Sequence, residues 1–279
     1  MSNAFPSISL QVAQLTDHEV QLGGLATRLR SSGDGTLGTV LMLHSLGLDR
    51  LAYDPLRAVL DQGWRVACFD QYAHGSAVLQ TEFSLQDCVD ATMAAIAILG
   101  PAPIHMVGHS MGGAIAALAA SQAGVNVASL SLVASPPAGG PAFKGRGDLI
   151  RQGGTGAVIP STLERWFGTG IAALQAGEAM AYARLTLQSM RVEGFARSWD
   201  ELAKFKGYWG LGERLPPTIC IASAEDASTP PHLMQLIIRA CAPAHIPLSV
   251  IEAAGHMVPL TRPEAVGQIL QSFWATEKH

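Results

Sequence analysis

Residues 91–143 contain no Asp, Glu, Lys or Arg, a run of 53 positions without a formal charge. Few structures can absorb such a run. A membrane helix needs about 20 continuous apolar residues, and here Pro101, Pro103, His105, His109, Ser110, Ser121, Gln122 and Asn126 interrupt the run repeatedly. A disordered chain needs low hydrophobicity and high net charge, whereas this chain is 48% hydrophobic with a formal net charge of −4. What fits is a set of short elements buried on both faces, as at the centre of a parallel sheet covered by helices.

The flanking sequence supports that reading. Residues 8–15 and 20–29 are extended runs that predict a hairpin with His18 in its turn, followed by a turn at Gly33-Asp34-Gly35. Apolar strands are then expected at 39–44, 65–69, 104–107, 130–133, 218–222 and 248–251. Helical patterns lie between or after them at 51–62, 84–99 with Ser84 as N-cap, 111–123, 232–241 and 263–275. Strands alternating with helices predict an α/β fold, a mostly parallel central sheet with helices on both faces.

Residues 136–215 break the rhythm. They show helical stretches at 155–167, 172–188 and 194–206 and no strand, which predicts a helical cap inserted into a core formed by 1–135 and 216–279. Between Lys144 and Arg214 there are ten basic and seven acidic residues, a net +3 that leaves −7 for the rest of the chain. A basic cap points weakly to an anionic substrate, with Arg146, Arg151, Arg165 and Arg184 as candidates to face the site. Charged helix faces are also commonly just solvated.

The chemistry centres on Gly108-His109-Ser110-Met111-Gly112, which fits G-x-S-x-G between a strand and a helix. That context suits a nucleophile elbow, because small flanking residues let strand and helix approach around a strained serine. A serine nucleophile needs a base, and the order in this architecture is Ser, acid, His. Ala224-Glu225-Asp226 follows a late strand and precedes Thr229-Pro230-Pro231, so Asp226 is the expected acid and Glu225 the fallback. His256, in the loop after the last strand, is the expected base, since ligands of open α/β sheets bind at the carboxyl ends of strands. The oxyanion hole needs two backbone N–H groups, expected from Met111 and from Leu46 in the loop His44-Ser45-Leu46-Gly47.

Other chemistries lack their residues. There is no H-E-x-x-H, clustered Cys/His set, P-loop or G-x-G-x-x-G after a strand, so no metal and no cofactor is expected. Without a basic footprint, nucleic acid is not an expected partner. Cys68, Cys88, Cys220 and Cys241 have no CxxC spacing and read as reduced core thiols. With no leader of basic then apolar residues, the expectation is a cytoplasmic protein that acts on a small molecule and makes no membrane contact. The oligomeric state stays open, with a homodimer among the options.

The ordered set of Leu41-Met42-Leu43-His44-Ser45-Leu46-Gly47, the G-x-S-x-G segment and Gly255-His256-Met257-Val258-Pro259 resembles the α/β-hydrolase superfamily over nearly the whole chain. Within it, Ser45-Leu46-Gly47, Ile150-Arg151-Gln152-Gly153-Gly154 and Leu163-Glu164-Arg165-Trp166-Phe167 are most similar to the 3-oxoadipate enol-lactonase-like group. That resemblance implies cofactor-free hydrolysis of a small, carboxylate-bearing lactone or ester through an acyl-enzyme. Asp70-Gln71 and Cys220-Ile221-Ala222-Ser223 also resemble the aminoacrylate-hydrolase branch, which keeps open a C–N bond (amide, carbamate or enamine). A C–C bond is a further alternative, although the C–C hydrolases usually carry Asn where His109 stands. Non-catalytic ligand binding on the same fold is a different reading, and the intact Ser/Asp/His set speaks against it. Asp70-Gln71-Tyr72-Ala73-His74-Gly75 departs from the family's D-x-R-G-H-G at Tyr72 and Ala73, and Ala224 stands where Gly is common. These departures bear on the substrate.

Overall fold

The computed structural model describes residues 15–122, 124–168 and 176–276. The chain opens with a hairpin, β1 (Thr16–Leu22) and β2 (Leu25–Ser32). Its turn is at Gly23-Gly24, not around His18, which instead pairs with Leu29 inside β1. Gly23 has φ +60°, the left-handed geometry a tight turn needs. Of the expected first strand, residues 8–14 lie outside the described residues.

The alternating elements follow: β3 (Gly38–Leu43), α1 (Asp54–Val59), β4 (Trp64–Phe69), α2 (Leu85–Leu99), β5 (Ile104–His109), α3 (Met111–Ala120) and β6 (Val127–Val133). The helix expected at 51–62 is split, with a 3-10 turn at Arg50–Tyr53 before a short α1. Ser84 caps α2 as expected, in a reciprocal capping box with Asp87.

Among the described residues three helices then intervene: α4 (Pro141–Phe167), α5 (Gly177–Ser189) and α6 (Val192–Ala203). Helix α4 starts 14 residues before the expected 155, bending at Gly154 (φ +72°). Its glycines hide the helical pattern, and one of them serves packing: a Cβ on Gly147 would stand 2.9 Å from the Ala196 carbonyl on α6. The expected helix at 172–188 is described only from 177 onward. The core resumes with β7 (Thr218–Ser223), α7 (Pro231–Ala240), β8 (Leu248–Ile251), α8 (Val258–Thr261) and α9 (Pro263–Thr276).

Among the described residues eight strands form one sheet in the order β1-β2-β4-β3-β5-β6-β7-β8. β2 is antiparallel to β1 and β4, and every other pair is parallel. Alternate residues of β3 feed two cores. Leu41 and Leu43 pack with Val89, Ile115 and Met234 of α2, α3 and α7. Val40 and Met42 pack on the other face with Leu56, Val266 and Trp274 of α1 and α9. The charge-free run is the end of α2, all of β5 and α3, then β6 and the lead into α4. It occupies the sheet centre, where an unpaired charge would be costly. Among the described residues no helix is long and apolar enough to cross a membrane.

Candidate active site

Ser110 sits between β5 and α3 with φ +54° and ψ −118°, a conformation rare for a side-chain-bearing residue. Its neighbours permit this. A Cβ on Gly108 would lie 2.5 Å from the Gly112 carbonyl, and one on Gly112 would lie 2.1 Å from the Leu43 carbonyl. The backbone is pinned on both sides: Ser110 N–H donates to Val133 O at 2.9 Å, and Ser135 Oγ–H donates to Ser110 O at 3.2 Å. Tyr208, whose OH lies 2.8 Å from Ser135 Oγ, buttresses that serine from behind.

The structure brings the three residues expected for catalysis into one hydrogen-bonded series. His256 Nε2 lies 3.0 Å from Ser110 Oγ, and its Nδ1 lies 2.8 Å from Asp226 Oδ2. Glu225 is exposed and takes no part. The carboxylate is held by groups the sequence reading missed. Asp226 Oδ1 accepts from the N–H groups of Ser228 at 2.7 Å and Thr229 at 2.9 Å, and Thr229 Oγ1 lies 2.7 Å from Oδ2. An Asp followed by Ser and Thr at these offsets is a local turn signature, so that much was legible. Burial alone would raise the Asp226 carboxyl. The charge and hydrogen bond of His256, with the Thr229 donors, outweigh it and bring it down to about 2. An ionised Asp226 fixes the tautomer: Nδ1 carries the hydrogen, and Nε2 is free to accept from Ser110.

Leu46 lines the small cavity beside Ser110. The N–H groups of Leu46 and Met111 have no acceptor among the described residues, whereas Leu48 N–H donates to Ser45 O and Gly47 N–H to His74 Nε2 at 2.9 Å. The Gly47 bond assigns a role to the departing segment at residues 70–75. His74 Nδ1–H donates to Tyr72 O, so its Nε2 is a lone-pair acceptor that braces the loop after β3. His44 does the same with Gln71 N–H at 3.0 Å. Ala73 keeps φ +63°, a strain of about 1 kcal/mol, and its methyl occupies the space left by Gly194 of α6. The 70–75 segment thus positions backbone. Tyr72 stacks on Phe83 and does not line the cavity.

Buried imidazoles have a pH consequence. Burial pushes His74 and His109 down to about 3, helped by the neighbouring His44 and His256 respectively, and pushes His44 down as well. In the unfolded chain each titrates near 6.5, so the stability they contribute is present above 6.5 and is lost as pH falls below it, for His74 and His109 down toward 3. Asp226 adds to the loss between 3.8 and 2. The slope is about 1 kcal/mol per pH unit for each such group. Urea unfolding at pH 7.5 and pH 5 is expected to show several kcal/mol less stability at pH 5. Equal stability at the two values would refute the neutral, buried state of these rings.

The cap closes over the site. His256 N–H donates to Trp166 O at the end of α4, at 2.8 Å, and Tyr182 of α5 donates to Asp49 Oδ1 at 2.6 Å beside the Leu46 loop. The cavity left next to Ser110 is about 20 Å³, room for about one water. The basic residues of the cap divide into two groups. Lys144, Arg151, Arg197 and Lys204 pair with Asp148, Asp200, Glu193, Glu82 or Glu201, and Arg184, Arg191, Lys206 and Arg214 are exposed. Arg146 lines the cavity and has no carboxylate partner among the described residues. Its guanidinium lies over the rings of Trp199 at 4.7 Å and Phe143 at 5.4 Å. Arg165 is also without a carboxylate partner among them, and burial and the charge of Arg146 bring it down to about 10. The net charge of the cap was therefore an indirect signal, and what counts is which arginine is left unpaired. Among the described residues no group of three or more His, Cys, Asp or Glu is placed to hold a metal ion.

Known proteins share this framework. A hydrolase of (E)-2-((N-methylformamido)methylene)succinate from Acinetobacter baylyi is 27% identical over 251 residues, 85% of this chain and 90% of its own length. 3-Oxoadipate enol-lactonase 1 of the same organism is 24% identical over 268 residues, 90% of this chain and 93% of its own. In structure, the enol-lactonase of Burkholderia xenovorans superposes with a TM-score of 0.83 at 20% identity, covering 92% of this chain and 100% of that one. Residues 40–269, spanning the Leu46 loop, the serine elbow, the cap and the His256 loop, match the alpha/beta hydrolase family, and the chain is a member of that family, a hydrolase with enol-lactonase-like similarity.

Proposed function

We propose that the protein is a serine hydrolase that cleaves a small, carboxylate-bearing lactone or ester through an acyl-enzyme. The observation that carries this reading is the unbroken series Ser110 Oγ, His256 Nε2, His256 Nδ1, Asp226 Oδ2, at 3.0 and 2.8 Å. Ser110 Oγ attacks the acyl carbon while His256 Nε2 takes its proton. Asp226 holds the ring and stabilises the imidazolium. The oxyanion accepts from Leu46 and Met111 N–H. The leaving oxygen takes the proton back from Nε2. Water, deprotonated by His256, then attacks the acyl carbon, releasing the acid and restoring Ser110.

Arg146 supports the anionic part of the reading. A half-buried guanidinium facing the cavity, with no carboxylate partner among the described residues, is suited to receive one from a substrate. Admitting anything larger than a water requires the cap side chains to move, so the reading includes cap opening. A second reading, cleavage of an amide or enamide C–N bond, is favoured by the 27% identical relative, whose name specifies a formamido-methylene succinate. The chemistry at Ser110 is the same, with nitrogen as the leaving atom. Four buried free thiols support a reducing, cytoplasmic setting.

A fluorophosphonate probe and a matched pair of esters, one carrying a terminal carboxylate and one neutral, test this. Ser110 labels in the wild type and not in Ser110→Ala. kcat/KM favours the carboxylate ester by about 10- to 100-fold, the worth of one charged hydrogen bond, and Arg146→Met removes most of that preference. Absent labelling, or equal labelling of Ser110→Ala, overturns the serine mechanism. A preference untouched by Arg146→Met overturns the anion site.

A further inference from the structure

The series of side chains above leaves unused a buried titratable group that lies directly beside it. His109 immediately precedes Ser110, is 3% exposed, and its ring centroid lies 5.3 Å from that of His256. Its Nε2 is 2.9 Å from the backbone carbonyl oxygen of His256. A carbonyl only accepts, so Nε2 carries the hydrogen, and burial keeps the ring neutral. The peptide of His256 is therefore held from both sides, its N–H by the Trp166 carbonyl of the cap and its C=O by His109 of the serine elbow.

We propose that His109 is a positioning residue that ties the loop bearing His256 to the strand bearing Ser110, through its Nε2–H bond to the His256 carbonyl. The inference rests on the serine-hydrolase reading. That chemistry breaks and remakes the bond between Ser110 Oγ and His256 Nε2 in every cycle. While Ser110 is acylated its oxygen has no hydrogen to offer, and the direct bond cannot hold the ring in place. The loop has further anchors, Ala254 O accepting from Glu225 N–H at 3.0 Å and Ala253 O from Arg262 Nη2 at 2.7 Å, but neither comes from the strand that bears Ser110. The loop leaves a four-residue edge strand, Leu248–Ile251, and turns through Ala253 at φ +50°. The His109 bond runs from β5, at the sheet centre, and does not depend on the protonation of Ser110. It sets the distance for both proton transfers, and misplacement of a catalytic group by about 1 Å costs about 100-fold in rate.

The test compares His109→Gln, whose amide nitrogen reaches as far as Nε2 and can donate, with His109→Met, which cannot. The readouts are the fluorophosphonate labelling rate of Ser110 and kcat and KM for p-nitrophenyl acetate, at temperatures well below each variant's melting point. The Met variant is expected to label and turn over about 10- to 100-fold more slowly with KM nearly unchanged, and the Gln variant to recover most of both rates. A folded Met variant with wild-type rates, or a Gln variant as slow as Met, overturns the proposal. Should Met not fold, His109→Asn replaces it, since its shorter amide stops short of the carbonyl. Asn as fast as Gln then overturns the proposal, and Asn slow with Gln fast supports it. Failure of the wild type to label at Ser110 would instead remove the serine-hydrolase reading on which the inference stands.

Discussion

Replacing Asp226 with Asn is expected to lower kcat by about 10⁴-fold while leaving the fold intact. The size follows from hydrogen-bond direction. Asp226 Oδ1 accepts from two backbone N–H groups, those of Ser228 and Thr229. In the variant these donors hold the amide oxygen, so the NH₂ group must take the place of Oδ2 and face His256 Nδ1, 2.8 Å away in the parent. A donor there forces Nδ1 to accept. The hydrogen then moves to Nε2, which can no longer take a proton from Ser110. Thr229 Oγ1 can accept from the new NH₂ and turn its single hydrogen to the Ala134 carbonyl, 2.9 Å away, so the packing is preserved. Single-turnover hydrolysis of an activated ester checks the rate, and thermal unfolding checks the fold. An Asp226→Asn variant within about 10-fold of the parent would show that Asp226 does not orient the base.

The second large effect is on folding. Gly112→Ala is expected to destabilise the protein by more than about 4 kcal/mol, or to prevent soluble expression, which lies in the exceptional range for a point change. The added Cβ would stand 2.1 Å from the Leu43 carbonyl and 2.7 Å from that of His44. Both contacts are backbone, in the central β3 and the loop that follows it, so neither can swing aside. Any shift would carry the Leu46 N–H away from Ser110. Gly145→Ala is the control. It is an exposed position of helix α4 with open space where a Cβ would stand, and a gain of about 0.5–1 kcal/mol is expected from reduced unfolded-state freedom. Similar melting points for Gly112→Ala and the parent would mean that the elbow does not need the close approach of α3 to β3.

Both effects lie on residues whose importance could be read in advance to different depths. Gly112 is visible in sequence because G-x-S-x-G places it after an apolar strand. The obstacle that makes it obligatory, the Leu43 carbonyl, is 69 positions away in the chain. Asp226 could be chosen over Glu225 from the turn chemistry that follows it. The donors that fix its orientation belong to that same turn, yet their aim is known only once the loop is built. His109 is the harder case. Nothing local distinguishes a buried histidine beside the serine from one that donates to a carbonyl 147 positions later.

The misses have local causes too. The hairpin turn lies later than the sequence predicts because apolar residues in 8–15 outweigh the polar β1, four of whose seven residues are exposed. A strand at the edge of a sheet buries little, so periodicity is a weak signal there. The first half of α4 is hidden in the sequence because Gly145, Gly147 and Gly153 lower helix propensity, and the close approach of α6 that Gly147 permits is a tertiary fact.

Sequence alone determined the order of elements, the buried sheet centre, the serine elbow and the chain order of Ser110, Asp226 and His256. These depend on local periodicity, turn chemistry and spacing, which a chain carries wherever it folds. Only the tertiary structure decided which arginine of a basic cap faces the cavity. Arg146 and Arg151 are equivalent in sequence terms, five positions apart on one helix. Arg151 meets Asp200 and Glu193 from α6 and is neutralised, while Arg146 meets aromatic faces and stays unpaired. The partner is supplied by another helix, and long-range packing, which no local pattern encodes, chooses it.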